Sequence, residues 1–113
     1  MSRAPHLTRA LVLETPVIIK DGAGGFTKGW QVLGTLWGEI RAGAGRERFA
    51  TLGPAGEVTL RILVRGAPHG SDQRPRPEQR FREGARIFRI LAVAEADVQG
   101  RYLVCTAQEE LPA

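Results

Sequence analysis

The sequence predicts a mostly β protein, a small antiparallel barrel or sandwich of about six short strands with long loops and at most one short helix. Three observations carry this expectation. First, Arg86-Ile87-Phe88-Arg89-Ile90-Leu91-Ala92-Val93 and Arg101-Tyr102-Leu103-Val104-Cys105-Thr106 are short, apolar and rich in β-branched or aromatic residues. The turn signal Asp97-Val98-Gln99-Gly100 separates them, so they form a β-hairpin. Second, Thr59-Leu60-Arg61-Ile62-Leu63-Val64-Arg65 alternates with period two: Leu60, Ile62 and Val64 point one way, Arg61, Leu63 and Arg65 the other. Third, Gly- and Pro-rich clusters break the chain into short runs and leave little room for helix.

In chain order, residues 9–18 contain a first strand, with Leu11 and Leu13 alternating with Val12 and Glu14. Pro16 has no N–H to donate to a ladder, so the strand either stops there or lies at an edge. Asp21-Gly22-Ala23-Gly24-Gly25 is a turn cluster. Its glycines suit phosphate cradling in principle, but neither Gly-Lys-Ser/Thr nor a helix pattern follows, and a flexible hairpin tip is the reading. From Phe26 to Arg41 the chain forms one long or two consecutive strands. Trp30, Val32, Leu36, Gly38 and Ile40 are expected on one face, and Leu33, Thr35, Trp37 and Glu39 on the other, with a bend or bulge at Gly34. Trp30 and Trp37 fit core or interface anchors.

Ala42 to Glu57 is polar and Gly-rich; Gly45–Ala50 suits a short helical turn stopped by Gly53-Pro54. Its charges Arg46, Glu47 and Arg48 suit either a solvated face or a subunit contact. Gly66 to Glu78 holds Pro68, Pro75 and Pro77 and almost nothing apolar, so no regular element fits it. A structureless connection this long inside a compact domain is usually functional or disordered. Gln79–Arg82 forms a short strand, Glu83-Gly84-Ala85 turns into the terminal hairpin, and Glu109–Ala113 is expected to fray.

At 113 residues the chain is one domain, 1–113, with a modest core that oligomerisation would supplement. The net charge of +4 sets sixteen basic residues, fourteen arginines with Lys20 and Lys28, against twelve acidic ones. That mild, mixed balance permits contact with nucleic acid without requiring it. No apolar run approaches the ~20 residues of a membrane helix, and the N-terminal residues lead into no signal-peptide h-region. Cys105 is the sole cysteine and suits a small buried apolar residue.

Catalytic chemistry finds little support. Cys105, Ser71, His6 and His69 are the candidate nucleophiles and bases, and none has an evident partner to orient it. Two distant histidines and one cysteine do not make a zinc site. The expectation is therefore a non-enzyme without catalytic residues, metal or cofactor. The best positive constellation is Arg74, Arg76 and Arg80, two of them alternating with prolines that favour an extended segment. With His69, Asp72 and Glu78 they mark a long loop at 66–82 that suits contact with DNA phosphates or an acidic protein surface, or a solvated loop.

The order of features resembles the phage head–tail joining proteins, also called adaptor, head-closure or stopper proteins. The motifs are Arg9-Ala10-Leu11-Val12-Leu13, then Asp21–Gly25, Trp30, Trp37-Gly38-Glu39-Ile40 and Gly45-Arg46-Glu47. The basic strand to Arg65 follows, then Gly84-Ala85-Arg86-Ile87-Phe88-Arg89-Ile90 and the final strand. The match spans nearly the whole chain, and the 66–82 loop departs from it by being longer and richer in Pro and Arg.

The resemblance implies a structural virion protein assembled in the bacterial cytoplasm. It would form a six- or twelve-fold ring below the portal or adaptor, with the tail terminator or tail tube beneath, closing a head filled with double-stranded DNA. No membrane is involved. Adaptor, stopper and tail-terminator roles all remain open, and the Arg-rich composition suits a phage, prophage or gene transfer agent of a GC-rich bacterium. Asp21, Phe26, Arg46, Glu47 and Arg48 are the expected subunit contacts, and the loop is expected to project toward the channel or the next ring. The rival reading is a stand-alone OB- or SH3-like barrel that binds nucleic acid through Trp30, Trp37, Phe81 and the arginines.

Overall fold

The structure is a computed structural model that describes residues 4–42 and 58–110. Six antiparallel strands run through them: β1 (Arg9–Lys20), β2 (Phe26–Ala42), β3 (Val58–Arg65), β4 (Arg80–Glu83), β5 (Arg86–Glu95) and β6 (Tyr102–Glu110). They close into a barrel in the order β1-β2-β3-β6-β5-β4, the last pairing back onto β1. No helix occurs among the described residues, and the short helical turn expected at 45–50 lies outside them.

Alternation fills the barrel. Leu11, Leu13, Leu60, Ile62, Val64, Phe81, Phe88, Ile90, Leu103, Cys105 and Ala107 point inward and form one buried cluster. Leu63 faces outward yet is also buried. It shares a cleft with Ala4, Pro5 and Tyr102, where the N-terminal segment crosses the wall and the His6 backbone N–H donates to Glu39.

Several strand expectations need correction. Of the two alternatives at Pro16, an end or an edge, the edge holds, and β1 runs past the expected boundary at residue 18 to Lys20, pairing with β2 throughout. Pro16 is tolerated because β4 pairs with β1 only at residues 12–14, so the strand beyond is an edge. The expected faces of β2 are out of phase. A bulge leaves Leu33 unpaired opposite the Leu13/Glu14 step, next to Gly34 at φ +155°. Leu33 joins the core with Leu36 and Ile40, whereas Trp30 and Val32 turn out to the face of Trp37. Both tryptophans are therefore surface residues and not core. The expected fraying at Glu109-Glu110 is also overturned: β6 includes both, and Glu109 accepts two hydrogen bonds from Arg86, at 2.8 and 3.0 Å.

Beyond the barrel, β1 and β2 continue as a two-stranded ribbon. Among the described residues, the six pairs from Thr15↔Gln31 to Lys20↔Phe26 have no further strand on either side. At about 3.4 Å per residue they project about 20 Å, which stretches the molecule to 57 × 35 × 21 Å.

At the same barrel end the chain leaves β3 at Gly66, whose N–H donates to the Arg101 carbonyl at 2.7 Å. A Cβ at this position would lie 2.3 Å from the Gly100 carbonyl oxygen, with only backbone to yield. Gly66→Ala is therefore expected to cost about 1–3 kcal/mol by overpacking. It should appear as a lower urea midpoint with an unchanged slope.

Candidate functional site

The features that distinguish this molecule from a plain barrel gather at the ribbon end. Asp21 caps the turn: its Oδ1 accepts the N–H groups of Ala23 (2.8 Å) and Gly25 (3.0 Å), which hold its pKa below the usual carboxylate value. Gly22 and Gly24 supply the positive φ that the turn needs. The ribbon that carries this turn is largely exposed, with Ile18, Ile19, Phe26, Trp30 and Val32 open to solvent. Strand pairing places Glu14, Pro16, Ile18 and Lys20 on one face with Val32, Trp30, Lys28 and Phe26, continuous with the outside of the barrel.

The ribbon is anchored at its base. The Glu14 carboxylate is buried and accepts hydrogen bonds from Arg80 Nε at 2.7 Å and Arg82 Nε at 3.2 Å; the Arg80 guanidinium in turn lies 4.0 Å from the Trp30 ring centre. Burial pushes the Glu14 pKa up, but the hydrogen bonds and charges of Arg80 and Arg82 outweigh it, and the net shift is downward. Arg80 thus belongs to β4 and to this cluster, not to the loop in which the sequence placed it. The far end of the barrel has a similar chain: Arg9 and Arg86 flank Glu83, and Arg86 reaches Glu109. Arg9 holds Glu83 below its ordinary pKa, and Arg86 does the same for Glu109.

The proline-rich connection spans 66–79 and is a string of turns rather than an extended arm. Ser71 N–H donates to Pro68, Arg74 N–H to Ser71 and Gln79 N–H to Arg76. Glu78 N–H donates to Ile90, and Ile90 N–H donates back to Gln79, so β5 holds the end of the segment. Pro75 is fully buried, and buried Gln79 accepts the Arg76 N–H at 2.8 Å and donates to Thr15 Oγ1 at 3.3 Å.

Of the predicted contact residues, Arg74 donates to the Ala67 carbonyl at 2.9 Å, while His69, Asp72, Arg76 and Glu78 stand exposed. Glu78 does so at φ +76°, an uncommon backbone conformation for a residue with a side chain. Between the edge of β2 that has no strand beside it among the described residues and the start of this segment lies an open groove of about 460 Å³, lined by Leu7, Trp37, Arg65 and Gln73 among others. Of the predicted subunit contacts, Asp21 and Phe26 come together on the ribbon; Arg46, Glu47 and Arg48 lie outside the described residues.

Of the candidate nucleophiles and bases, Cys105 lies in the core, and Ser71 Oγ accepts the Gln73 N–H at 3.1 Å within the turns that also carry exposed His69. Burial pushes the Cys105 thiol up to about 12, so at neutral pH it is a thiol and a core residue. Among the described residues no group of three His, Cys, Asp or Glu converges as metal ligands.

The sequence reading missed the exposed Ile18, Ile19 and Val32 and the buried Glu14. One local signal pointed to the ribbon: the chain's two lysines, Lys20 and Lys28, flank the Asp21–Gly25 turn and mark a solvated tip. Nothing local marked Glu14, whose partners lie 66 and 68 residues away.

Residues 2–110 match the family described as phage head completion protein. A chain in the solved virion of a native gene transfer agent particle is 54% identical. That alignment covers 97% of this chain and all of that one, with a TM-score of 0.75. The solution structure of a protein from Shigella flexneri 2a aligns over 99% of this chain and all of its own, with a TM-score of 0.72. At 17% identity it is a likeness of fold alone. No curated protein matches.

Proposed function

The chain belongs to the phage head completion protein family, and from that premise we propose that it forms a ring of six or twelve copies that closes a DNA-filled head and gives the tail its docking surface. The observation that carries this reading is the 54% identity, over nearly the whole length, to a chain of a gene transfer agent virion. The architecture suits the role. A closed barrel has no edges of its own, so the ribbon edges and the ribbon face are left for contacts between subunits. Heterologous contacts that close by rotation make a ring.

In this reading the ring sits between the portal or adaptor and the tail terminator or tail tube, as a stopper would. The turns at 66–79 present His69, Asp72, Arg76 and Glu78 to the channel or to the adjoining ring. Deleting the gene is expected to leave filled heads without tails that lose their DNA; tailed, DNA-retaining particles in normal number would overturn the reading. The rival, a free nucleic-acid-binding barrel, requires the isolated monomer to bind DNA with affinity that falls steeply as salt rises. The ring reading expects no such binding.

A further inference from the structure

The β2–β3 ladder ends at the pair Gly38↔Val64. One pair further, Trp37 and Arg65 would stand opposite each other on the outside of the barrel, on the face that Glu39 and Leu63 share. Instead the chain turns away from β2 at Gly66, whose N–H donates to the Arg101 carbonyl ahead of β6. Trp37 and Arg65 are left on either side of the open groove of about 460 Å³. Through this stretch β2 keeps β1 along one side, with Thr35 opposite Val12 and Leu36 opposite Leu11, and has no strand on the other among the described residues. In an antiparallel strand every second residue turns its N–H and C=O to a given side, so part of the Thr35–Trp37 backbone faces the groove. The bulge at Leu33 and Gly34 ends the regular edge, which makes the available stretch short.

The lining has a definite chemistry. Trp37 is 57% exposed and half-buried Leu7 lies beside it, which gives an apolar wall. Arg65 and Gln73 are exposed and supply the polar side. Arg65 forms no hydrogen bond or ion pair among the described residues, whereas Arg9, Arg80, Arg82, Arg86 and Arg101 each meet a carboxylate. None of the residues that line the groove is acidic; Asp72, next in the chain to Gln73, is not one of them. The groove therefore combines a strand edge, an aromatic surface and one cation with no counter-charge in its own wall.

We propose that this groove takes an extended acidic segment of a different virion protein as an added strand. The segment pairs with Thr35–Trp37 in the place that β3 vacates, lays an apolar side chain on Trp37 and Leu7, and sets a carboxylate against Arg65. Side chains two positions apart share a face of a strand, so the segment carries an apolar residue and an Asp or Glu at that spacing. Each described strand of this chain already holds its place in the closed barrel, so none of them is available as the added one. The inference rests on the head-closing reading and names the chemistry of one neighbour in it.

The test uses purified particles. Arg65→Lys, at an exposed position, is treated with a water-soluble carbodiimide, which joins an ammonium group directly to a carboxylate. The expected result is a new link to an Asp or Glu of a different virion protein, absent from the wild type, whose lysines are Lys20 and Lys28. In wild-type particles, amide exchange at alternate positions of Thr35–Trp37 should be about tenfold slower than in the free chain, the scale of one net hydrogen bond. A link within the same chain or to a second copy would overturn the proposal. So would the absence of any new link, or exchange at Thr35–Trp37 that assembly leaves unchanged. Copy number, read from the same particles, keeps the two readings apart: no link in particles with six or twelve copies removes the groove contact and leaves the ring. One copy per particle removes the ring, and the link then decides the groove by itself.

Discussion

Phe81→Ala is expected to cost about 3–5 kcal/mol, the usual range for deleting a fully buried aromatic ring. Domains of this size hold about 5–15 kcal/mol in total, so the variant should be marginally folded at best. Position explains why the loss falls at the upper end. β4 has only four residues, yet it joins β1 to β5 and so closes the barrel. Phe81 is its one fully buried residue, set between Leu13 on one side and Phe88 on the other, both without exposure. The flanking Arg80, Arg82 and Glu83 are held by charge at the surface and cannot fill the void. Urea unfolding followed by circular dichroism reads the loss, and Phe81→Leu should recover most of it. A cost below about 1 kcal/mol would mean that the core closes without β4, against the range for buried aromatics.

The strands that the sequence disclosed are those whose determinants are local. Thr59–Arg65 and the terminal hairpin alternate cleanly, and the Asp97–Gly100 and Asp21–Gly25 turns carry their own chemistry, a positive-φ glycine and an Asp side chain that caps the loop. β2 was legible as a strand but not in phase, because one unpaired residue, Leu33, inverts every side chain on one side of it. Pro16 suggested an end or an edge, because proline cannot sustain a ladder on both sides. Here the second side has no strand among the described residues, a tertiary fact that no window of sequence contains.

The 66–79 segment hid its structure for a related reason. Its lack of apolar residues suggests an extended chain, but Pro75 and Gln79 alone are enough to dock it once β1 and β5 offer Thr15 and Ile90. What the segment presents, His69, Asp72, Arg76 and Glu78, is thereby held on a folded platform. Asp21 and Phe26, named from the turn as expected subunit contacts, meet at the ribbon tip, where the Asp21 carboxylate is turned into its own loop.

Glu14→Ala should cost about 2–3 kcal/mol and loosen the ribbon where it leaves the barrel. Removing one partner of a buried ion pair costs about 3–5 kcal/mol when the other is left without solvent. The lower figure applies here because the Arg82 side chain is 39% exposed and can rehydrate, while Arg80, at 17%, cannot do so fully. Arg80 also holds Trp30. Amide exchange at Val17–Ile19 should therefore quicken in the variant more than exchange in β3 and β6.

Glu14→Gln isolates the charge. The folded-state pKa of Glu14 lies below its ordinary 4.5, so the carboxylate favours the folded state fully above that value and progressively less as pH falls toward the folded pKa. The stability difference between wild type and Glu14→Gln should be constant from pH 7 down to about 5 and shrink below about 4.5. A difference that persists unchanged down to pH 3 would assign the effect to packing of the side chain and not to its charge. The same comparison with Glu83→Gln, at the barrel's far end, should shrink over the same range without altering exchange in the ribbon, since Arg9 and not Arg80 is its partner.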